Sequence, residues 1–230
     1  SPAECAELAA GDITIMTNLM FGPNKFKLGV FCVNTDGAMT LTRVSERWPA
    51  QWDEIVEVTQ LIDDAGFEFY LPLARWKGYG GEKNIRLHSF ESFTHVSALA
   101  ALTQNIALCT TVQAPIIPPV FAAKVLTTLD HISHGRAVLN IVCGYNQPEL
   151  NMFGITDFTR AYERGREWYD ILMQIYESDE PFDYKGEFYD LKGVEGAPRP
   201  LQQPRPVVIT AGFSPEGRDY AARTSDFLFT

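Results

Sequence analysis

The stretch VLNIVCGYNQPELNMFG, residues 138–154, begins as a strand and ends as something else. Val138, Leu139, Ile141 and Val142 make its start apolar, the composition of a strand buried on both faces. Asn140 stands in the middle of that run. After Cys143 the chain breaks at Gly144 into a polar loop carrying Asn146, Gln147 and Glu149. A strand that holds an amide near its C-terminal end and then opens into a polar loop is how a parallel-sheet enzyme presents a site. Read alone, however, an amide in an apolar strand is most often a buried group bonded to neighbouring backbone.

Working outward, strands and helices alternate. Residues 26–33, 67–73, 106–112, 136–144 and 206–212 read as strands, with a sixth in DFLFT at 226–230. Between them, 52–66 has Ile55, Val58, Leu61 and Ile62 at helical spacing and ends at Gly66. Residues 91–103 form a helix with Phe93, Val96, Leu99 and Ala100 on one stripe and Ser89 as its cap. Residues 119–133 form a helix begun by Pro119. A fourth helix, 161–177, turns Trp168, Leu172, Ile175 and Tyr176 inward, and a short one covers 215–224.

Near-continuous apolar strands alternating with helices specify a parallel sheet covered on its faces. An open doubly wound sheet and a (β/α)8 TIM barrel both satisfy that pattern. No G-x-G-x-x-G follows the first strand, where VNTDGAMT stands instead, so a dinucleotide-binding sheet is disfavoured. Polar residues collect where strands end: Asn34, Arg75, Thr110 and Thr111, Asn140 and Asn146, Ser214. That is the barrel's habit. Residues 1–25 read as an N-terminal arm and 26–230 as one barrel domain. Because six strands do not close an eight-stranded barrel, the expectation is an incomplete barrel, with two further strand–helix units beyond Thr230.

Composition fits one globular, acidic domain. The chain has 230 residues and a formal net charge of −10, with no run of Lys or Arg, which disfavours nucleic acid as a partner. No stretch approaches a membrane span. The four cysteines are widely spaced, as for buried thiols in a reducing, cytoplasmic setting. The N-terminal SPAECAELAAGDITIMTNLM lacks a basic leader and makes a poor signal peptide. The four histidines show no metal-ligand spacing, so no metal is expected.

Several motifs together resemble a known family. TLDHISHGRAVLNIVCG (128–144) is similar to a strand entry of the bacterial-luciferase-like flavin-dependent monooxygenases. GYGG (78–81), SFESFT (89–94), PPVFAAK (118–124), NQPELNMFGI (146–155), RAYERGREW (160–168), FDYKGEFYDL (182–191) and ITAGFS (209–214) follow in order. They resemble the branch of the pyrimidine (uracil) and dimethylsulfone monooxygenases. The resemblance implies a TIM barrel using reduced FMN and O2, with the flavin supplied by a separate NAD(P)H-dependent flavin reductase. It further implies a flavin peroxide, at N5 rather than C4a in this branch, acting on a small organic substrate: a pyrimidine-like ring, an organosulfur compound or a halogenated aromatic. A homodimer or homotetramer is expected by the same analogy. The alternatives are a deazaflavin-dependent oxidoreductase on the same fold and a non-catalytic flavin-binding protein.

Carried over by resemblance, Asn140 and Thr111 flank the oxygen site and Asn140 also contacts the flavin. Ala74, Arg75, Glu149 and Tyr162 are further flavin contacts, and Ser214 lies on the phosphate side. Backbone chemistry supports the last, since AGFSPEG opens a helix whose free N–H groups favour a phosphate. The branch tends to carry a basic residue where Ala161 stands here. Set against these roles, Thr111 is an ordinary strand former, Ser214 a plain helix cap and Glu149 a solvated acid. Asp130 and Arg136 read as a structural ion pair. Trp76, Tyr79 and Tyr145 would make the mouth apolar, and His88 could line it.

Overall fold

The computed structural model describes residues 17–144, 146–157 and 159–229. Along the chain run β1 (Gly29–Phe31), α1 (Trp52–Asp64), β2 (Phe69–Leu71), α2 (Ser92–Leu102), β3 (Ala107–Gln113), α3 (Pro119–Ile132), β4 (Ala137–Val142) and α4 (Gln147–Met152). There follow α5 (Ala161–Glu177), β5 (Phe182–Lys185), β6 (Asp190–Val194), β7 (Val207–Thr210), α6 (Pro215–Thr224) and β8 (Phe227–Leu228). The expected strands and helices are present, with trimmed ends. Three further elements appear: the short helix α4, where the sequence suggests loop, and the strands β5 and β6 of an antiparallel hairpin. The arm expected over 1–25 falls within the described residues only from residue 17. There Asn18 donates to the carbonyls of Gly135 and Ala137, and Met20 is buried.

Six strands pair in parallel in the order β1-β2-β3-β4-β7-β8. Laid flat, five gaps of ~4.8 Å would separate the edges by roughly 24 Å. Yet the ring of Phe31 on β1 lies 5.1 Å from that of Phe229, which follows β8, and Phe229 also meets Phe69 at 6.3 Å. The sheet is therefore curled into a half-barrel, and the aromatic rings close its trough. The inner strands β2, β3, β4 and β7 are buried on both faces. Tyr70, Leu108, Leu139 and Val208 pack outward among the helices. Phe69, Leu71, Cys109, Val138 and Ile209 pack inward with Met20.

Most helix stripes fall where periodicity puts them. Phe93, Val96, Leu99 and Ala100 of α2 are buried, as are Trp168, Leu172, Ile175 and Tyr176 of α5. In α1 the stripe is Ile55, Thr59 and Ile62, while Leu61 faces solvent. Thr59 takes its place because its hydroxyl donates to the Ile55 carbonyl at 2.7 Å, which makes it safe to bury. The cap of α2 is Glu91 rather than Ser89: its carboxylate accepts the N–H groups of Phe93 and Thr94 at 2.8 and 2.7 Å. The Asp130–Arg136 ion pair does not form. Asp130 accepts from the backbone and side-chain amides of Gln202, and Arg136 donates to carbonyls of Ala100, Thr103, Ile106 and Ser133 and to the Thr103 hydroxyl. Cys32, Cys109 and Cys143 are buried free thiols; Cys5 lies outside the described residues.

Behind the sheet, the His95 ring bonds the Glu91 carbonyl through Nδ1 at 2.7 Å and the Tyr70 hydroxyl through Nε2 at 3.0 Å. Burial holds the imidazole down to about 4, and the contact with Glu91 offsets this only in part. The unfolded chain takes up a proton below about 6.5 that the folded core refuses until about 4. Stability should therefore be complete above pH ~6.5 and fall by about 3 kcal/mol as the pH drops toward 4. Urea midpoints measured across that range should vary less in His95→Gln than in the parent protein. Identical profiles would remove His95 as the cause.

Candidate active site at the sheet's C-terminal ends

The inward face changes character along its strands. On β3 the inward series is Ala107, Cys109, Thr111, Gln113, and on β4 it is Val138, then Asn140. Apolar residues fill the lower layer, and amides and a hydroxyl form the layer near the C-terminal ends, where parallel-sheet enzymes place their chemistry. Thr111 and Asn140 are direct register partners.

Their bonds fix the direction of the amide. The Thr111 hydroxyl donates to the Pro72 carbonyl at 2.6 Å, so it must accept from Asn140 Nδ2 at 3.1 Å. Asn140 Oδ1 is left as a buried acceptor with no partner. Gln113 repeats the arrangement: its Nε2 donates to the Ala74 carbonyl and to Glu149, and its Oε1 has no partner. A buried polar atom left unsatisfied costs ~1–3 kcal/mol. Two of them in one polar layer mark a place that a hydrogen-bond donor from outside the chain would complete.

Glu149, on α4, is fully buried. One carboxylate oxygen accepts from Arg75 Nη1 at 3.2 Å and from the backbone N–H groups of Trp76 and Lys77 at 3.0 and 3.1 Å. The other accepts Gln113 Nε2 at 3.1 Å. The solvated reading of this acid is thereby overturned. Its carboxylate is turned onto the loop after β2, and it draws Ala74 and Arg75 into the network around Gln113. Neither Gln113 nor Ser92, whose Oγ accepts the Thr111 N–H at 2.6 Å, was singled out in the sequence. Extending the inward alternation one step past Thr111 would have found Gln113.

The remaining pair meets elsewhere. Ser214 caps α6 by accepting the Gly217 N–H at 3.0 Å. A Cβ on Gly217 would lie 2.7 Å from the Tyr162 hydroxyl and 3.0 Å from Gly212 Cα, so only glycine lets these segments approach. The Tyr162 ring packs on Tyr220 at 5.8 Å. Beside them opens a cleft of about 570 Å³, reached from β4 through Gly144 and flanked by Arg160, Tyr162, Arg166 and Pro215. Gly144 has φ +106, the left-handed turn that carries the chain out of β4. Arg160, next to Ala161, is committed to Glu163 and Glu187.

Of the mouth aromatics, Trp76 packs edge-on against Phe153 at 5.1 Å, and Tyr79 lies beneath the guanidinium groups of both Arg75 and Arg86. Tyr145 lies outside the described residues. His88 is tied to the Ala50 carbonyl at 3.2 Å and meets the Phe90 ring edge-on, which holds it among neighbouring loop residues. Among the described residues no His, Cys, Asp and Glu side chains gather as a metal site, and no helix is long and apolar enough to cross a membrane.

Comparison with known proteins agrees with this architecture. Residues 26–230 match the family model described as luciferase-like monooxygenase. Pyrimidine monooxygenase RutA of Acinetobacter baylyi is 30% identical over 207 residues, covering 88% of this chain and 55% of the relative. The chain thus spans about half the length of the curated relatives it matches. Riboflavin lyase RcaE, solved with modified FMN and riboflavin, superposes with a TM-score of 0.76 at 20% identity, over 89% of this chain and 54% of that one. An F420-dependent secondary alcohol dehydrogenase, solved with an F420–acetone adduct, gives 0.70 at 18% identity, over 89% and 58%. At those identities the solved structures speak for the fold alone.

Proposed function

Because this chain belongs to the luciferase-like monooxygenase family, we propose that it acts as a two-component, flavin-dependent monooxygenase. It would use reduced FMN from a separate NAD(P)H-dependent reductase, together with O2, to oxygenate a small organic molecule on a (β/α)8 barrel. The observation that carries the reading is the buried, unpartnered Oδ1 of Asn140 at the C-terminal end of the half-barrel. It is an acceptor whose orientation the Thr111–Pro72 contact fixes, and a ring N–H of a flavin is a donor that would complete it. Reduced flavin carries an additional ring N–H compared with oxidised flavin, so this acceptor favours the reduced form.

The donor and acceptor set fits such a group. Asn140, Thr111 and Gln113 would face the ring, and the loop at Ala74–Arg75, held by Glu149, would border it. Tyr162 and Ser214 with the first turn of α6 would take the phosphate, where the helix dipole favours an anion. When bound, reduced flavin supplies the electrons that activate O2. The chain's own residues orient the ring, offer Asn140's amide and Thr111's hydroxyl to the reacting face, and exclude water through the apolar layer below. A second reading, hydride transfer with the deazaflavin F420, is favoured by the shared fold with an F420-dependent dehydrogenase.

Anaerobic titration with FMN, riboflavin and F420 tests the choice. Reduced FMN should bind more tightly than oxidised FMN. Ser214→Ala, which also removes the helix cap, should weaken FMN more than riboflavin. Binding of F420 with no binding of either flavin would sink the monooxygenase reading.

A further inference from the structure

Arg86 is set apart from the other deeply buried arginines by what it lacks. It is only 8% exposed and sits at φ 67, in the left-handed region that a long side chain rarely adopts. Its Nη1 donates to the Tyr79 hydroxyl at 2.9 Å. Its Nη2 donates to the Ala38 carbonyl at 3.1 Å and approaches the Met39 sulfur at 3.9 Å. Among the described residues Nε has no partner and no carboxylate pairs with the guanidinium. Arg136, just as buried, makes five hydrogen bonds and shows what a structurally satisfied guanidinium looks like in this fold. Arg75, on the other side of the same Tyr79 ring, is neutralised by Glu149.

A buried cation without a counter-charge is costly, by several kcal/mol for an unpaired ion. The chain keeps it at the mouth, in the loop after β2 and against the loop after β1. The neighbouring backbone is strained: Ala38 at φ 43 and Asn84 at φ 38 also occupy the left-handed region. Strain of this kind persists where the surroundings fix a functional geometry. Beside the guanidinium, Met39 and Tyr79 are more than half exposed and give the rim an apolar surface.

We propose that Arg86, mounted on Tyr79, is a specificity-determining residue that receives the anionic oxygens of the substrate, and that the substrate class is an organic acid with an apolar body. This rests on the mouth being the substrate entrance of the proposed monooxygenase. The second Nη1–H would be the donor to an anionic oxygen, with the guanidinium's charge behind it, while Nε–H lies on the opposite edge, enclosed by protein. The flanking charged pairs, Asp36–Arg47 at 3.3 Å and Arg75–Glu149 at 3.2 Å, are each internally neutral and leave the excess charge on Arg86.

The test uses benzoate against its neutral counterpart benzamide, titrated into the intact chain by calorimetry without flavin, so that its outcome is separate from flavin binding. Benzoate should bind roughly 10- to 100-fold more tightly than benzamide, the worth of a charge-assisted bond. Arg86→Gln should abolish that preference, weakening benzoate far more than benzamide, with the circular-dichroism spectrum unchanged. Should Arg86→Gln not fold, Arg86→Lys must weaken benzoate more than benzamide. No preference in the parent protein, a preference that survives in Arg86→Gln, or equal weakening of both ligands in Arg86→Lys would overturn the proposal, even if flavin binds as expected.

Discussion

Asn140→Ala is expected to lower product formed per O2 consumed by a factor of ~10²–10³, the usual effect of removing one preorganised polar group from a reacting centre. Oxygen uptake should continue and end in released hydrogen peroxide. The unusual part of the expectation concerns stability. Among the described residues Asn140 Oδ1 has no partner and Nδ2 meets only the Thr111 hydroxyl, which still has the Pro72 carbonyl to donate to. Removing the amide therefore removes a buried, unsatisfied atom along with one modest bond. The melting temperature should stay level or rise, as when a site held for function is relaxed. A residue retained only to satisfy buried backbone would behave in the opposite way. A lower melting temperature with coupling intact would reject the catalytic role.

Glu149→Ala should be the most destabilising single change at the site, costing ~3–5 kcal/mol, as for breaking a buried pair from one side. The carboxylate holds Arg75, the N–H groups of Trp76 and Lys77, and Gln113. All four lose that acceptor at once. Glu149→Gln should cost clearly less, because an amide oxygen can still accept the two backbone N–H groups. Urea unfolding at constant slope gives both numbers. Losses below ~1 kcal/mol for the alanine variant, the range of an exposed pair, would mean that the loop after β2 does not depend on this acid. A loop released in this way should also weaken flavin binding under the proposed function.

Much of the fold was legible because its signals are local. The two-residue alternation of β3 and β4 places Thr111 and Asn140 on one face, and helical spacing places Phe93, Val96 and Leu99 on another. Apolar strands separated by helices require a parallel, doubly covered sheet, whatever the loops do. The hairpin β5–β6 and α4 escaped notice for a related reason. FDYK is half-exposed and short, and the six residues of α4 are too few to show a helical period.

The site was only half legible. Residue type and strand position point to Arg75, Thr111, Asn140 and Ser214, whereas Glu149 and Tyr162 rest on the family resemblance alone. The sequence also determined the order of the elements and the polar character of the strand ends, since both follow from neighbours within a few residues. Only the tertiary structure decided which way each polar group is committed. Glu149 turns to Arg75 across 74 residues of chain, Thr111 to Pro72 across 39, and Arg136 to Ala100 across 36, where an ion pair with nearby Asp130 was expected. Those partners are brought together by the curl of the sheet, which depends on packing along both of its faces at once. Hydrogen bonds are directional and saturable, so whether Asn140 keeps a free acceptor, or Arg86 a charge with no carboxylate beside it, is settled by the groups within reach in space, many of them distant in sequence.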